Sequence, residues 1–363
     1  MSTGCSSACW QASAGFEGGR APVRRSRLRP RCAMPLAVSG QRSAVSGQRS
    51  GVGGPGRAFK FGFPWPIPRL RRSHSPPPCS PTLAMLASPA LHVPRDLAAW
   101  AARFDPANLP VLASTAREME ALRPAEDAVD AHLLAEAIGA DPLMSLKVLA
   151  HVAARRRGRE GGEPETLTAA LVMLGIPPFF AAFGPQPTVE ERLSGQPAAL
   201  EGFERVLSRS RRAGRFALGF AAHRLDRDAA VIHEAALLHD FAELLLWLEA
   251  PELALEIARR QEADPSLRSA SVQRAVLNVE LVDLQHHLMQ AWRLPSLLVE
   301  ITDDHARRET SQLANVRLAI RVARHSALGW DNPALPDDLA DIGALLQLSV
   351  PHVERLLQDI DAG

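Results

Sequence analysis

The chain has 363 residues with 41 basic and 40 acidic side chains and no tyrosine, and all but two of its basic residues are arginines. The net charge of +1 hides an asymmetry: residues 1–84 carry thirteen basic residues against one acid, and the remaining 279 residues carry 28 basic against 39 acidic. All four cysteines lie in the first 84 residues and no run of eighteen apolar residues occurs, so the rest of the chain has no thiol for a disulfide framework or cysteine nucleophile and no evident membrane-spanning segment.

The first 84 residues do not have the pattern of a folded domain. They are rich in Gly, Pro, Ser and Arg, and the string SGQRSAV at 39–45 is followed by the near-duplicate SGQRSGV at 46–52. Such a segment lacks the apolar residues needed to offset chain entropy. We predict a low-complexity basic extension that is disordered or non-native, with a true start near Met85; a transit peptide or an arm that binds anionic surfaces are the alternatives.

From Met85 onward, amphipathic Ala- and Leu-rich segments alternate with short Pro, Gly and Asp breaks, which predicts helices. Residues 85–106 are expected to form a leading helix and linker. Further helices are predicted at 130–138, 142–153, 166–174, 176–183, 200–224, 229–248, 252–262, 267–279, 282–292, 295–305, 313–328, 338–348 and 351–360. No alternating strand pattern is present. The sequence therefore predicts an all-α bundle of about a dozen helices.

The most apolar predicted helix, 229–248, carries the best candidates for chemistry. Its string HEAALLH superficially resembles a zinc-protease helix, but His233 and His239 are six residues apart, about 120° around a helix, whereas ligation from one face requires a spacing of four. His239 lies in an apolar stripe of this helix. We therefore expect it in the core, hydrogen-bonded to a neighbouring group.

The segment AALLHDFAELL at 235–245 resembles the central helix of the HD superfamily, and specifically of its HDOD branch, the HD-related output domains of bacterial signalling proteins. Other segments resemble HDOD in the same order and spacing: Leu109-Pro110, Asp141-Pro142-Leu143, Ala169–Gly175, Trp292–Pro295 and Ile301–His305. The resemblance covers about 107–325. It implies a multi-helix HD/HDOD-type bundle in this region, followed by capping helices in 326–363.

The resemblance also implies where a catalytic site would lie and how this one departs from it. A catalytic HD domain binds divalent ions through an earlier His, the His-Asp pair and a later Asp. Here Arg209 stands near the position of the earlier His, the pair is His239-Asp240, and Asp304 or His305 would be the later ligand. Because an arginine repels a cation and can pair with the carboxylate, we expect a degenerate site that binds no metal or cofactor.

Two functional hypotheses follow. The first is a cytoplasmic, non-catalytic regulatory or scaffold protein that binds a signalling protein or a nucleotide second messenger. The second is a metal-dependent HD-type phosphohydrolase that uses His239 and Asp240. The acidic charge of residues 85–363 disfavours nucleic acid as a partner, because a phosphate-binding surface needs a basic excess.

Overall fold

The computed structural model describes residues 93–156, 162–264 and 266–362. The predicted extension at 1–84 and the start of the predicted leading segment lie outside the described residues. Within the described ranges the chain forms seventeen α-helices, two short 3-10 helices and no strand. The predicted all-α architecture is confirmed. None of the described helices is both long and apolar enough to cross a membrane.

The helices follow one another with short connections. In the amino half they are α1 (Leu97–Ala101), α2 (Ala113–Leu122), α3 (Ala131–Ile138), α4 (Pro142–Arg155), α5 (Leu167–Leu174), α6 (Ile176–Ala182), α7 (Val189–Arg192) and α8 (Pro197–Arg224). In the carboxyl half they are α9 (Ala229–Leu238), α10 (Phe241–Glu249), α11 (Pro251–Ala263), α12 (Ser269–Leu277), α13 (Leu281–Ala291), α14 (Ser296–Ile301), α15 (Ser311–His325), α16 (Leu335–Leu346) and α17 (Val350–Ala362). The 3-10 helices cover Pro106–Asn108 and Arg123–Ala128.

Polar caps fix several helix starts where the sequence predicted them. Side-chain oxygens of Asp130, Asp141 and Thr166 accept backbone N–H groups in the first turns of α3, α4 and α5. These bonds satisfy donors that a helix leaves free at its amino end. The prediction missed α2 and the one-turn α7, and the described residues form seventeen α-helices instead of about a dozen.

A buried polar pair ties the start of α4 to the preceding chain. The Asp141 carboxylate also accepts the N–H of Leu112 at 2.8 Å. One turn further, the Lys147 ammonium donates to the carbonyl of Leu109 at 2.7 Å and to the side-chain oxygen of Gln186. Burial lowers the pKa of Lys147 to about 8. These bonds hold the irregular segment before α2 against the bundle.

The long helix α8 forms the centre of the molecule. Its 28 residues span about 42 Å and present Phe203, Phe216 and Phe220 to the core. Gly202 permits a close approach, because a Cβ there would come within 2.3 Å of the Trp247 ring of α10. Helices α9, α10, α11, α15 and α17 all pack against α8.

The predicted helix 229–248 is wrong as a single element. It divides at His239-Asp240 into α9 and α10. Asp240 has φ −102° and ψ 18°, and it precedes α10 without capping it, since its carboxylate binds other groups. His239 is the C-cap of α9 and keeps helical dihedrals (φ −58°, ψ −33°), so the helical-wheel argument that separates it from His233 still applies, whereas it does not extend beyond Asp240.

The predicted helix 295–305 is also too long. Helix α14 ends at Ile301, and Thr302 follows with its hydroxyl bonded back to the carbonyl of Leu298 at 2.8 Å. Asp304 and His305 consequently lie in a turn. This change of backbone direction sends their two side chains to different places.

The described part of the carboxyl-terminal segment, residues 326–362, folds back on the same bundle. Val353 and Leu357 of α17 are fully buried. The Arg212 guanidinium of α8 donates twice to the Asp361 carboxylate, both at 2.8 Å. The apolar faces of α16 and α17 thus pack within the chain.

Candidate functional site

Four elements bring charged side chains together beside the α9–α10 break. Arg209 comes from the middle of α8, His239 and Asp240 form the break itself, Asp304 comes from the turn after α14, and Arg324 comes from the last turn of α15. We call this group the ion-paired centre. It joins residues separated by up to 115 positions in the sequence.

The Asp240 carboxylate is the hub of the ion-paired centre. Its Oδ2 accepts Arg209 Nε at 2.8 Å, and its Oδ1 accepts an Arg324 guanidinium nitrogen at 2.6 Å. His239 Nδ1 lies 3.1 Å from the same Oδ1. Arg209 also donates to Glu243 of α10 at 2.6 Å. One guanidinium therefore binds both Glu243 and Asp240, the residue that precedes α10. Both oxygens of Asp240 are therefore occupied by cationic donors.

His239 lies between two carboxylates. Its Nδ1 contacts Asp240, and its Nε2 lies 3.2 Å from Asp304 Oδ1. Since carboxylates only accept, both ring nitrogens must donate, which requires the protonated imidazole. Burial lowers the pKa of His239, but the two carboxylates outweigh burial and raise it above its ordinary value.

The acids of the centre shift in the opposite direction. Burial raises the pKa of Asp240, but Arg324, Arg209 and His239 outweigh it and hold the pKa well below its ordinary value. Burial likewise raises the pKa of Asp304, and the hydrogen bond from His239 with the nearby arginines lowers it further than burial raises it. The centre is therefore a set of charges that hold one another ionised.

The sequence-predicted residues do not all meet. Arg209, His239, Asp240 and Asp304 converge, whereas His305 points elsewhere: its side chain is 64% exposed and contacts Asp283 of α13 at 3.1 Å. The alternative that placed His305 as the later ligand does not fit this geometry.

Sequence reasoning missed two arginines of α15. Arg324 binds Asp240 directly, and Arg317 donates to the backbone carbonyls of Asp303 and Asp304 at 3.1 and 2.8 Å. Arg317 and Arg324 are seven residues apart and share one helix face, in a segment whose other face is apolar. That spacing predicts a charged stripe on one face of α15, but the neighbouring sequence does not indicate which acidic residue the stripe contacts.

The residues present do not fit a divalent metal. A cation at Asp240 would have to displace the two guanidinium groups of Arg209 and Arg324. His325, on α15 near Arg324, instead contacts Asp338 of α16 at 2.5 Å. Within the described residues, no group of three or more His, Cys, Asp or Glu is arranged to hold a metal ion. What this arrangement can do is lock four helical elements together.

Comparisons with known proteins identify relatives of this architecture. A family model described as HDOD domain matches residues 109–308. The crystal structure of the MmoQ response regulator from Methylococcus capsulatus str. Bath is similar, with a TM-score of 0.52 and 21% identity over 69% of this chain and 98% of that one. A virulence factor from Campylobacter jejuni subsp. jejuni has a TM-score of 0.50 and 17% identity over 69% and 94%. At these identities the likeness shows the fold alone. No curated protein matches the chain.

Proposed function

Because the chain belongs to the HDOD domain family, we propose that it is a regulatory component of a signalling system that acts by binding and not by catalysis. One of its structural neighbours is described as a response regulator, which agrees with this direction. The ligand we propose is a signalling protein or a nucleotide second messenger. The centre that a hydrolase would use for chemistry serves here as a scaffold.

The observation that carries this proposal is the double ion pair on Asp240. A hydrolase of the HD type needs that carboxylate free to hold an ion that activates water. Here Arg209 and Arg324 each donate to one of its oxygens, at 2.8 and 2.6 Å. The two acids beside His239 raise its pKa and favour the protonated imidazole, which cannot accept a proton from water. The phosphohydrolase alternative based on His239 and Asp240 is therefore disfavoured.

A hydrolysis assay on the full chain tests the catalytic half of the proposal. The substrates are bis(p-nitrophenyl) phosphate and cyclic dinucleotides, each with Mn²⁺, Mg²⁺ or Fe²⁺. We expect no turnover above that of the matched variant Asp240→Ala. Metal-dependent hydrolysis that disappears in Asp240→Ala would overturn the proposal.

Affinity purification from the native organism tests the binding half. We expect wild-type protein to retain a signalling partner in stoichiometric amount, or to release a nucleotide on denaturation that mass spectrometry identifies. Protein that carries neither, from cells in which the chain is expressed at its normal level, would contradict the binding half while leaving the hydrolysis result to stand by itself.

A further inference from the structure

A second polar site lies away from the ion-paired centre, in a cavity between α3, α5, α8 and α9. We call it the Glu234 cavity. Its volume is about 520 Å³, and its lining includes Leu167, Arg211, Arg215, His233, Glu234 and Leu237. This volume falls in the range of small-molecule sites in proteins. Most of its wall is apolar, with charged groups at a few places.

Glu234 gives this cavity a buried hydrogen-bond acceptor without a partner. The residue is only 6% exposed. Its Oε2 accepts the N–H of Leu167 at the start of α5, at 3.0 Å, but its Oε1 makes no hydrogen bond to any described residue. A buried polar atom left unpaired costs free energy, so such an atom indicates an absent donor. Oε1 is itself enclosed by the wall, so a ligand N–H completes this carboxylate when the side chain turns toward the cavity.

Two arginines of α8 give the cavity a positive rim. Arg211 donates its Nε to the carbonyl of Ala140 at 2.8 Å, and no described carboxylate lies within ion-pair distance of it. Arg215, one turn further along, approaches Asp361 only at 3.5 Å, and Asp361 already accepts two bonds from Arg212. Burial lowers the pKa of Arg211, the Asp141 carboxylate raises it, and Arg215 lowers it to a smaller extent. An anionic group placed between the two arginines would reduce the repulsion between them.

From these features we propose that the Glu234 cavity binds a nucleoside phosphate. The phosphate lies against Arg211 and Arg215, the faces of the base pack on the apolar wall, and an N–H on the edge of the base donates to Glu234 Oε1. An apolar carboxylic acid fits less well above about pH 7, where Glu234 is ionised, since it carries no donor for Oε1. This inference rests on the proposed function, because it assigns the binding of a nucleotide second messenger to this cavity.

The remaining groups around the cavity agree with a neutral base next to Glu234. Burial lowers the pKa of His233, so this imidazole is neutral near pH 7. Its ring packs against Gly214, where a Cβ would lie 3.2 Å from Nε2. His132 and Glu136 of α3 lie on the opposite wall. The positive charge of the cavity is thus concentrated at the two arginines.

Calorimetric titration of the full chain tests the proposal. The probes are GMP, AMP and cyclic di-GMP, with ribose 5-phosphate as the probe that lacks a base. We expect at least one nucleotide to bind one per chain and about tenfold or more tighter than ribose 5-phosphate. Failure of all three nucleotides to bind at millimolar concentration, or equal binding of ribose 5-phosphate, would overturn the proposal.

Matched variants locate the bound probe. The double variant Arg211→Ala/Arg215→Ala is expected to weaken nucleotide binding about tenfold or more, because hydrogen bonds between charged groups are lost. The control is Arg227→Ala, an exposed arginine outside the cavity, which should bind as wild type does. Equal affinity of wild type and the double variant would place any bound nucleotide elsewhere and contradict the site.

Glu234→Gln separates the base contact from the phosphate contact. It keeps the size of the side chain but can replace the free acceptor by an amide donor. We expect nucleotide affinity to fall about tenfold while ribose 5-phosphate affinity stays unchanged, in protein whose thermal unfolding shows it is folded. A nucleotide affinity that does not change would contradict the role of Glu234. Hydrolysis that depends on Asp240 would contradict the proposed function, whatever this titration gives.

Discussion

Two faces of helix α8 handle buried charge in opposite ways. Arg209 points to the ion-paired centre, where each carboxylate oxygen of Asp240 already has a cationic partner. Arg211, two residues on and about 160° around the helix, points to the Glu234 cavity, where it donates to a backbone carbonyl and where one carboxylate oxygen of Glu234 has no partner among the described residues. At the position that resembles the HD motif, Asp240 therefore has no free carboxylate oxygen. The proposed ligand site lies on the opposite face of the same helix.

The largest expected effect is the loss of stability when Arg209 is removed from the ion-paired centre. Arg209→Ala removes one partner from two acids and leaves Asp240 buried with reduced compensation. Breaking a buried ion pair in this way typically lowers the free energy of unfolding by about 3–5 kcal/mol. Urea unfolding of the variant measures it. Arg205→Ala, on the same helix and 53% exposed, is the control and should change stability by less than about 0.5 kcal/mol.

If Arg209→Ala and Arg205→Ala were equally stable, the ion pairs of the centre would not hold the fold, and the contrast between the two faces would fail.

The next largest effect is the pH dependence of stability caused by Glu234, in the cavity on the other face of α8. Burial raises the pKa of Glu234 to about 7, from 4.5. The unfolded chain therefore ionises this acid first, and wild type loses stability as the pH rises from about 4.5 to about 7. Glu234→Gln has no such loss, so its stability relative to wild type should increase by about 3 kcal/mol between pH 4 and pH 8.

Urea unfolding of both proteins at several pH values provides the measurement. Parallel curves for wild type and Glu234→Gln would show that Glu234 is solvated and not held unpaired in the cavity wall.

A smaller loss of stability is expected when the buried His239 side chain is removed. His239→Ala leaves the Asp304 carboxylate without its hydrogen-bond donor and removes one of the three donors of Asp240, which should lower the free energy of unfolding by about 1–3 kcal/mol. Thermal and urea unfolding at pH 6 measure the loss. Unchanged stability would contradict a packed role for this side chain.

The smallest effect is the pH dependence of that loss. Because the pKa of His239 is raised, its contribution is fully present below about pH 6.5 and is lost as the pH rises through the folded-state pKa. The cost of His239→Ala should therefore be smaller at pH 9 than at pH 6. A cost that grows with pH would mean that the imidazole is neutral in the fold.

How far the sequence predicted this molecule depended on whether the signal was local. The caps at Asp130, Asp141 and Thr166 are read from single positions, and the structure has helices starting there. The break at His239-Asp240 escaped because both flanking segments are apolar, so periodicity alone continues through it. At the break, the Asp240 carboxylate bonds to Arg209 and Arg324, which lie 31 and 84 residues away in the sequence.

The candidate site shows the same limit. The motif pointed to His239 and Asp240, and the resemblance pointed to Arg209 and Asp304. Arg324 was not found, because its partner lies 84 residues away and only packing of α15 on α8 brings them together. The unpaired oxygen of Glu234 could not be predicted, since a missing hydrogen-bond partner has no sequence signature.

The most direct test of the ion-paired centre is calorimetric titration of the full chain, purified with chelator and then freed of it, with Mn²⁺. Because guanidinium groups occupy both oxygens of Asp240, wild type should show no binding beyond that of Asp240→Ala. Binding of about one ion per chain that Asp240→Ala abolishes would contradict the account.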